Sequence, residues 1–390
     1  MHPHAHGHDH GTHPAGIGAV RPTDWVYDRA PMMIYWELTL ACALTCRHCR
    51  AKAMKRALPG ELTTEQAIAV LDDITRFGGP GEPLPHIIFT GGDPLRRDDL
   101  DVLLREAGNR GIGVSLAPAV TELLTKERLQ EVKDGGVGAI SLSLDGSRPE
   151  LHDDIRRVPG TYQHTMEALK WADEIGLPVQ INTLVTDKTV DDLPAMYEML
   201  KGQPVTRWTL FFLIQTGRGQ MLQEVTPAQA EGVMQWLVDL RGKSPFRIST
   251  TEATFYRRVL AQNEMARGEA LDDVLASPAA MAWGVRDGNG IVFITNKGDI
   301  QPSGFLPVSV GNVTRGDSLV DTYRSDPFLL QLRDTDSFAG KCGLCDYRKW
   351  CGGSRARAYA AFGDALGSDP LCPYVSERAR EAGRAALARS

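Results

Sequence analysis

The sequence predicts an α/β fold, an open, partial (β/α)6 barrel of the TIM-like kind with a small C-terminal extension. Three observations lead there. Between about Met32 and Gly242, six short β-rich apolar runs alternate with amphipathic helical stretches. That rhythm implies parallel strands with both faces covered. Six units are also too few to close an eight-fold barrel. Finally, the cysteines of "CALTCRHC" and the motifs "GGDP", "SLDG" and "QTGRGQ" all fall where strands end. Parallel α/β folds bind ligands at the C-terminal ends of their strands.

Taken in order, "MMIYWELT" is a strand leading straight into the cysteines. "ELTTEQAIAVLDDITRFGG" is an amphipathic helix, with Thr63 and Gln66 at capping-box spacing and Gly78 at its stop. "HIIFT" is a short buried strand ending in "GGDPL", and "GIGVSLAP" is the third strand. A helix over roughly Thr121 to Lys133 precedes the strand "AISLSLDG". The helix "TYQHTMEALKWADEIG", strand "PVQINTLVT", helix "DDLPAMYEMLKG" and strand "RWTLFFLIQ" follow. "TPAQAEGVMQWLVDLRG" is a helix with a threonine start.

The expected division of the chain is then as follows. Residues 1–22 form a disordered His-rich tail, 23–242 the barrel and 243–285 a connecting segment. Residues 286–376 form the extension, opening with a hairpin in "IVFITNKGDIQPSGF" that turns at Asn296 to Asp299, and 377–390 a C-terminal helix. In the tail, His2, His4, His6, His8 and His10 alternate, with His13 after them. Such imidazoles bind Zn, Ni or Cu ions incidentally, and no catalysis is expected there.

The 390 residues are 42% hydrophobic and 24% charged, with a net charge of −6. This is ordinary globular composition. It argues against nucleic acid as a partner. No run of 18 apolar residues spans a membrane. The start of the chain lacks the order of a signal peptide, so a cytoplasmic location is expected, where thiols stay reduced. Clustered cysteines there point to metal more than to disulfides.

Seven cysteines form two groups. Cys42, Cys46 and Cys49 read C-x3-C-x2-C directly after the first strand. A closed zinc site needs four ligands, and His48 would have to complete it between two of the others. Three thiolates suit a [4Fe–4S] cluster whose fourth iron stays open to an external ligand. Cys342, Cys345, Cys351 and Cys372 provide four thiolates, enough to close either a tetrahedral zinc site or a cubane.

On these motifs the chain resembles the radical S-adenosyl-L-methionine (SAM) enzymes. The resemblance implies that SAM chelates the open iron, that one electron cleaves its sulfonium, and that the 5′-deoxyadenosyl radical removes hydrogen from a substrate. It places Gly91, Gly92, Asp93 and Pro94 of "TGGDP" at the SAM amino group, with Asp93 where the family usually carries Glu. It brings Ser143 and Asp145 of "SLSLDG" near SAM, with Asn182 at the barrel top and Arg218 facing a carboxylate. "LAPAV" departs from the Asn-Gly turn of many members. The second cysteine group resembles the Twitch type of SPASM extension, which carries one auxiliary [4Fe–4S] cluster. Two [4Fe–4S] clusters and SAM are the implied cofactors, and they use every cysteine.

"CGGSRARAYA" with "DPLC" looks like the radical SAM branch that modifies tetrapyrrole side chains in the heme d1 and siroheme-dependent heme pathways. "TTEATFYRRV" and "PSGFLP" look like a sister group without an assigned substrate. The implied substrate is a small porphyrinoid, with flavodoxin or ferredoxin as the reducing partner. Arg218, Arg257, Arg258, Arg355 and Arg357 are candidate carboxylate binders, with plain surface solvation the expectation for most of them. The alternatives are a maturase acting on a peptide, which the lack of a peptide-binding domain before the barrel disfavours, and a non-enzymatic iron–sulfur or metal-handling scaffold.

Overall fold

The computed structural model describes residues 25–79, 82–276 and 285–387. The His-rich tail expected at 1–22 lies outside them. The chain builds one sheet from β1 (Met33–Thr39), β2 (His86–Gly91), β3 (Val114–Leu116), β4 (Val137–Ser143) and β5 (Val179–Val185). It continues with β6 (Arg207–Phe212), β7 (Arg247–Thr251), β8 (Ile291–Ile294), β9 (Asp299–Gln301) and β10 (Gly311–Asn312). The order is β10-β9-β8-β1-β2-β3-β4-β5-β6-β7. The six expected strands are adjacent, in sequence order and parallel.

The structure extends this partial barrel at both edges. β7 pairs parallel with β6, and β8 pairs parallel with β1. β7 lies in "FRISTT", inside the stretch expected only to connect. Its burial is intermediate at best, because it forms one edge of the sheet. The faint alternation of such an edge strand explains why its periodicity is weak. The β8–β9 hairpin turns where "TNKGD" predicts, with the Gly298 N–H donating to the Thr295 carbonyl. The sheet remains open, with β10 and β7 at its edges.

Alternation on β1 decides what faces the core. Ile34, Trp36 and Leu38 are fully enclosed in the main hydrophobic cluster. Glu37 and Thr39 point to the other face. The helix Thr64–Thr75 carries the predicted capping box at Thr63 and Gln66, and buries Ala67, Val70, Leu71 and Ile74. The helix expected from Thr121 starts at Lys126 instead. Thr121 donates to the Asp93 carboxylate at 2.8 Å, and Thr125 is the N-cap. No described helix is long and apolar enough to cross a membrane.

The cysteine loop between β1 and the Thr64 helix has almost no regular structure, so its backbone must be satisfied from outside. Gly92 and Asp93 donate to the carbonyls of Thr39 and Ala41 at 2.8 and 2.7 Å. This approach needs glycine: a Cβ on Gly92 would overlap the Ala41 carbonyl and stand 2.7 Å from that of Leu40. On the other side, Gly217 sits at φ +57°, and a Cβ there would lie 2.6 Å from the Cys49 carbonyl.

The C-terminal unit is bound to the barrel through Arg357, which is 1% exposed. Its guanidinium donates to the Leu213 carbonyl after β6, to the Glu252 carbonyl and to the Glu224 carboxylate, at 3.0, 2.6 and 2.9 Å. The Glu252 backbone lies in the left-handed region at φ +60°, and its carboxyl accepts from the Ser354 hydroxyl. Desolvation, followed by the charge of Asp287, pushes the Glu252 carboxyl up to about 8.

Two expectations follow. Gly92→Ala should cost about 1–3 kcal/mol through backbone displacement, seen as a lower Tm. The raised Glu252 carboxyl means that the folded state keeps a proton the unfolded state releases. Wild-type stability should therefore fall as pH rises from the ordinary glutamate range towards about 8. In Glu252→Gln that component is absent, so urea titrations at the two ends of this window should show a flatter pH dependence.

Candidate active site

A cavity of about 260 Å³ opens at the C-terminal ends of the parallel strands. Cys42, Cys46 and Cys49 line one side, and Thr90, Gly91 and Gly92 close the β2 end. Ser143 and Asn182, register partners on β4 and β5, face the same space. Asn182 accepts from Gln180 at 2.7 Å through its carbonyl, which leaves its amide N–H groups for a ligand. Ala117, Ala119 and Leu213 supply apolar walls.

Other predicted residues are differently placed. Asp93 does not line the cavity. Its short side chain folds back to accept from the N–H groups of Leu95 and Ala119 and from Thr121, and it is fully enclosed. Pro94 is buried and opens a short 3-10 turn. Asp145 lines the cavity, but its carboxylate pairs with Arg156 at 2.6 Å and accepts from the Leu184 N–H at 2.9 Å. The Arg156 guanidinium, set against the cost of burial, holds that carboxyl below its ordinary range. Arg218 lines the cavity yet braces the loop, donating through Nε to the Cys46 carbonyl at 2.9 Å and through Nη1 to that of Ala53 at 3.2 Å. Its Nη2 has no acceptor among the described residues.

The remaining candidate carboxylate-binding arginines do not line this cavity. Arg257 donates to the carbonyls of Trp350 and Val285, and Arg355 to those of Ala365 and Gly367. Arg258 makes a two-pronged pair with Glu231 at 2.5 Å, and Arg357 is the junction residue described above. Charge alone suggested them. Folding made Arg257, Arg355 and Arg357 ties for backbone carbonyls and gave Arg258 to a carboxylate, which a sequence cannot reveal.

Several cavity residues carried a weaker sequence signal. His152 and Arg156 stand one turn apart on the helix Pro149–Arg156, directly after "SLDG". Their i, i+4 spacing puts both on one face. Arg156 donates to Cys46 Sγ at 3.7 Å. Burial pushes His48 down to about 4, so it is neutral, and its Nδ1 has no partner among the described residues. Arg50, Phe211 and Phe305 also line the cavity, and Phe305 belongs to the quoted "PSGFLP", though none of the three was expected at the site.

A second, smaller cavity is lined by all four remaining cysteines together with Arg258. Its thiols come from the helix Gly340–Gly343, the turns after it and the segment following Asp369. All seven cysteines are free. Burial pushes the thiols of Cys42 and Cys372 up to about 12 and those of Cys345 and Cys351 to about 11.

Each sulfur nevertheless has a donor aimed at it. Backbone N–H groups of Leu44, Ala53, Asp369, Tyr347 and Gly353 reach Cys42, Cys49, Cys342, Cys345 and Cys351 at 3.3–3.4 Å. Arg156 serves Cys46, and Arg258 serves Cys372 at 3.6 Å. Among the described residues, no three His, Cys, Asp or Glu side chains converge on a point that could hold one metal ion. A cubane spreads its thiolates over separate irons. Both donor sets have the number of thiols and the N–H···S support that an iron–sulfur cluster would use.

Comparison with known proteins agrees with this geometry. The radical SAM superfamily profile matches residues 36–200. An AdoMet-dependent heme synthase of Methanosarcina barkeri is 35% identical over 88% of this chain and 97% of its own. The AdoMet-dependent heme synthase of Oleidesulfovibrio alaskensis is 34% identical over 98% of each chain. The solved structure of Streptococcus suis SuiB bound to S-adenosylmethionine shares the fold, with a TM-score of 0.67 at 17% identity over 89% of this chain and 78% of that one. Relatives this similar over nearly the whole of both chains establish that the chain belongs to the radical SAM superfamily.

Proposed function

We propose that Cys42, Cys46 and Cys49 hold the [4Fe–4S] cluster at which SAM is cleaved, that Cys342, Cys345, Cys351 and Cys372 hold an auxiliary [4Fe–4S] cluster, and that the substrate is a tetrapyrrole whose side chains are modified. One observation carries the reading: three thiols, two glycines, Ser143 and Asn182 face a single cavity at the strand ends. When bound, cluster and SAM supply the electron and the hydrogen-abstracting chemistry.

The chain's own residues do the rest. Gly91 and Gly92 keep side-chain bulk out, so that backbone can meet the ligand. Ser143 and Asn182 offer hydrogen bonds across the cavity from the cysteines. Arg218 and the N–H···S donors hold the thiolates in position. Apolar walls from Ala117, Ala119 and Leu213 keep water away from reactive species. Asp93 acts indirectly, through the turn it caps. The tetrapyrrole class is supported by the two heme synthases, which match over nearly the entire chain. The reading includes a low-potential donor such as flavodoxin or ferredoxin and a reducing, cytoplasmic setting, where clustered thiols stay available as ligands.

Anaerobic reconstitution tests it. The wild type should hold about eight irons per chain, as two cubanes require, and form 5′-deoxyadenosine from SAM with dithionite, faster with a porphyrinoid present. Alanine at Cys42, Cys46 and Cys49 together should abolish 5′-deoxyadenosine formation, and retained cleavage would sink the assignment. Cys345→Ala or Cys351→Ala should leave about four irons, the loss of one cubane. Unchanged iron, or zinc in the second site, would remove the auxiliary cluster from the reading.

A further inference from the structure

Arg257, Arg258, Arg355 and Arg357 are committed outside the cavity, and Arg218 spends its Nε and Nη1 on the cysteine loop, but another arginine stands in the cavity wall. Arg50 directly follows Cys49 and lines the cavity. Its Nη2 donates to Glu37 Oε2 at 2.5 Å, and its guanidinium lies 4.6 Å from the Phe293 ring centroid. Among the described residues its Nε and Nη1 have no acceptor, and its side chain is 22% exposed. It is thus held on one side and open on the other.

Three elements fix it there. Glu37 is 3% exposed on β1, with a carboxylate that aims Arg50 across the strand ends. Gly217 lets the segment after β6 lie against the Arg50 backbone. Gly304 and Phe305 of "PSGFLP" border it from the extension. A Cβ on Gly304 would stand 3.3 Å from Arg50 Nε and crowd the open edge. Next to it, Phe305 lines the cavity, with its ring 6.5 Å from that of Phe211. A cation with two free donor positions, beside an aromatic pair in the cavity wall, matches a macrocycle that carries carboxylate arms.

We propose that Arg50, steadied by Glu37 and bordered by Gly304, receives a side-chain carboxylate of the substrate while the Phe211–Phe305 pair forms one apolar wall beside the ring. This rests on the tetrapyrrole reading above and names the residue that reads the substrate. The carboxylate meets donors on Nε and Nη1, and the pair with Glu37 keeps the guanidinium from swinging away. Glycine at 304 is the small residue that leaves this edge reachable.

The test is a binding titration of reconstituted, SAM-loaded protein with an iron porphyrin bearing free propionates and with its methyl ester. Wild type should bind the free acid more tightly. Arg50→Gln, with wild-type iron and sulfide content, should lose about ten- to hundredfold in affinity for the acid and bind the ester like wild type. Arg50→Lys should recover part of the loss. Glu37→Gln keeps the cation and removes its competing carboxylate, so its affinity for the acid should equal or exceed that of wild type. Equal affinity of Arg50→Gln and wild type for the acid would overturn the proposal and leave the tetrapyrrole reading standing. So would a loss of SAM affinity alone, which would make Arg50 a cofactor residue. Weakening by Glu37→Gln as large as that by Arg50→Gln would reduce the pair to a structural tie. A wild type that binds neither porphyrin, and forms 5′-deoxyadenosine no faster with either, would defeat the tetrapyrrole reading and this proposal with it.

Discussion

The rest of the site depends on one constraint: a cysteine loop with almost no secondary structure has to be held by backbone contacts too close for any side chain. On one flank, the β2 turn reaches the carbonyls of Thr39 and Ala41 through Gly92 and Asp93. On the other, Gly217 brings the segment after β6 against Cys49 and Arg50. A rung to Met54 closes the loop on itself, with the Cys42 N–H donating to the Met54 carbonyl at 2.7 Å. Three thiols on a free loop would lose most of their binding energy to ordering it. Clamped from both sides, they face the cavity already arranged.

The two thiol sets use the same physics. In each, backbone N–H groups serve most of the sulfurs and one buried guanidinium serves another. These guanidinium groups are themselves anchored, Arg156 by Asp145 and Arg258 by Glu231. A buried cation is tolerated only when paired and hydrogen-bonded. The carboxylates of Asp145 and Glu231 therefore position sulfur donors without touching sulfur. This accounts for Asp145 lying beside the cavity while its charge is spent inside the protein.

The C-terminal unit shares the barrel's sheet rather than hanging from it. β8 hydrogen-bonds β1, and Arg357 reaches from the extension to the carbonyl just past β6. The β8–β9 hairpin leads directly into Phe305, which closes one wall of the main cavity. Extension and barrel thus line one cavity between them.

The sequence alone determined the parts whose physics is local. Alternating strand and helix periods marked six parallel strands, Thr63 and Gln66 marked a helix start, and cysteine spacing marked two thiol sets of three and four. Each rests on neighbours within a few residues, so it survives without knowledge of the fold. Tertiary structure decided which polar groups face the cavity. Asp93 and Asp145 sit in expected motifs, yet burial committed their carboxylates to Thr121 and Arg156. Arg355 and Arg357 read as free cations and became ties for carbonyl groups. Arg50 and Phe305 carry no periodic signal, and they meet only because β1 sits between β2 and β8. A side chain's partner is set by what the chain brings back from hundreds of residues away, and no local pattern encodes that distance.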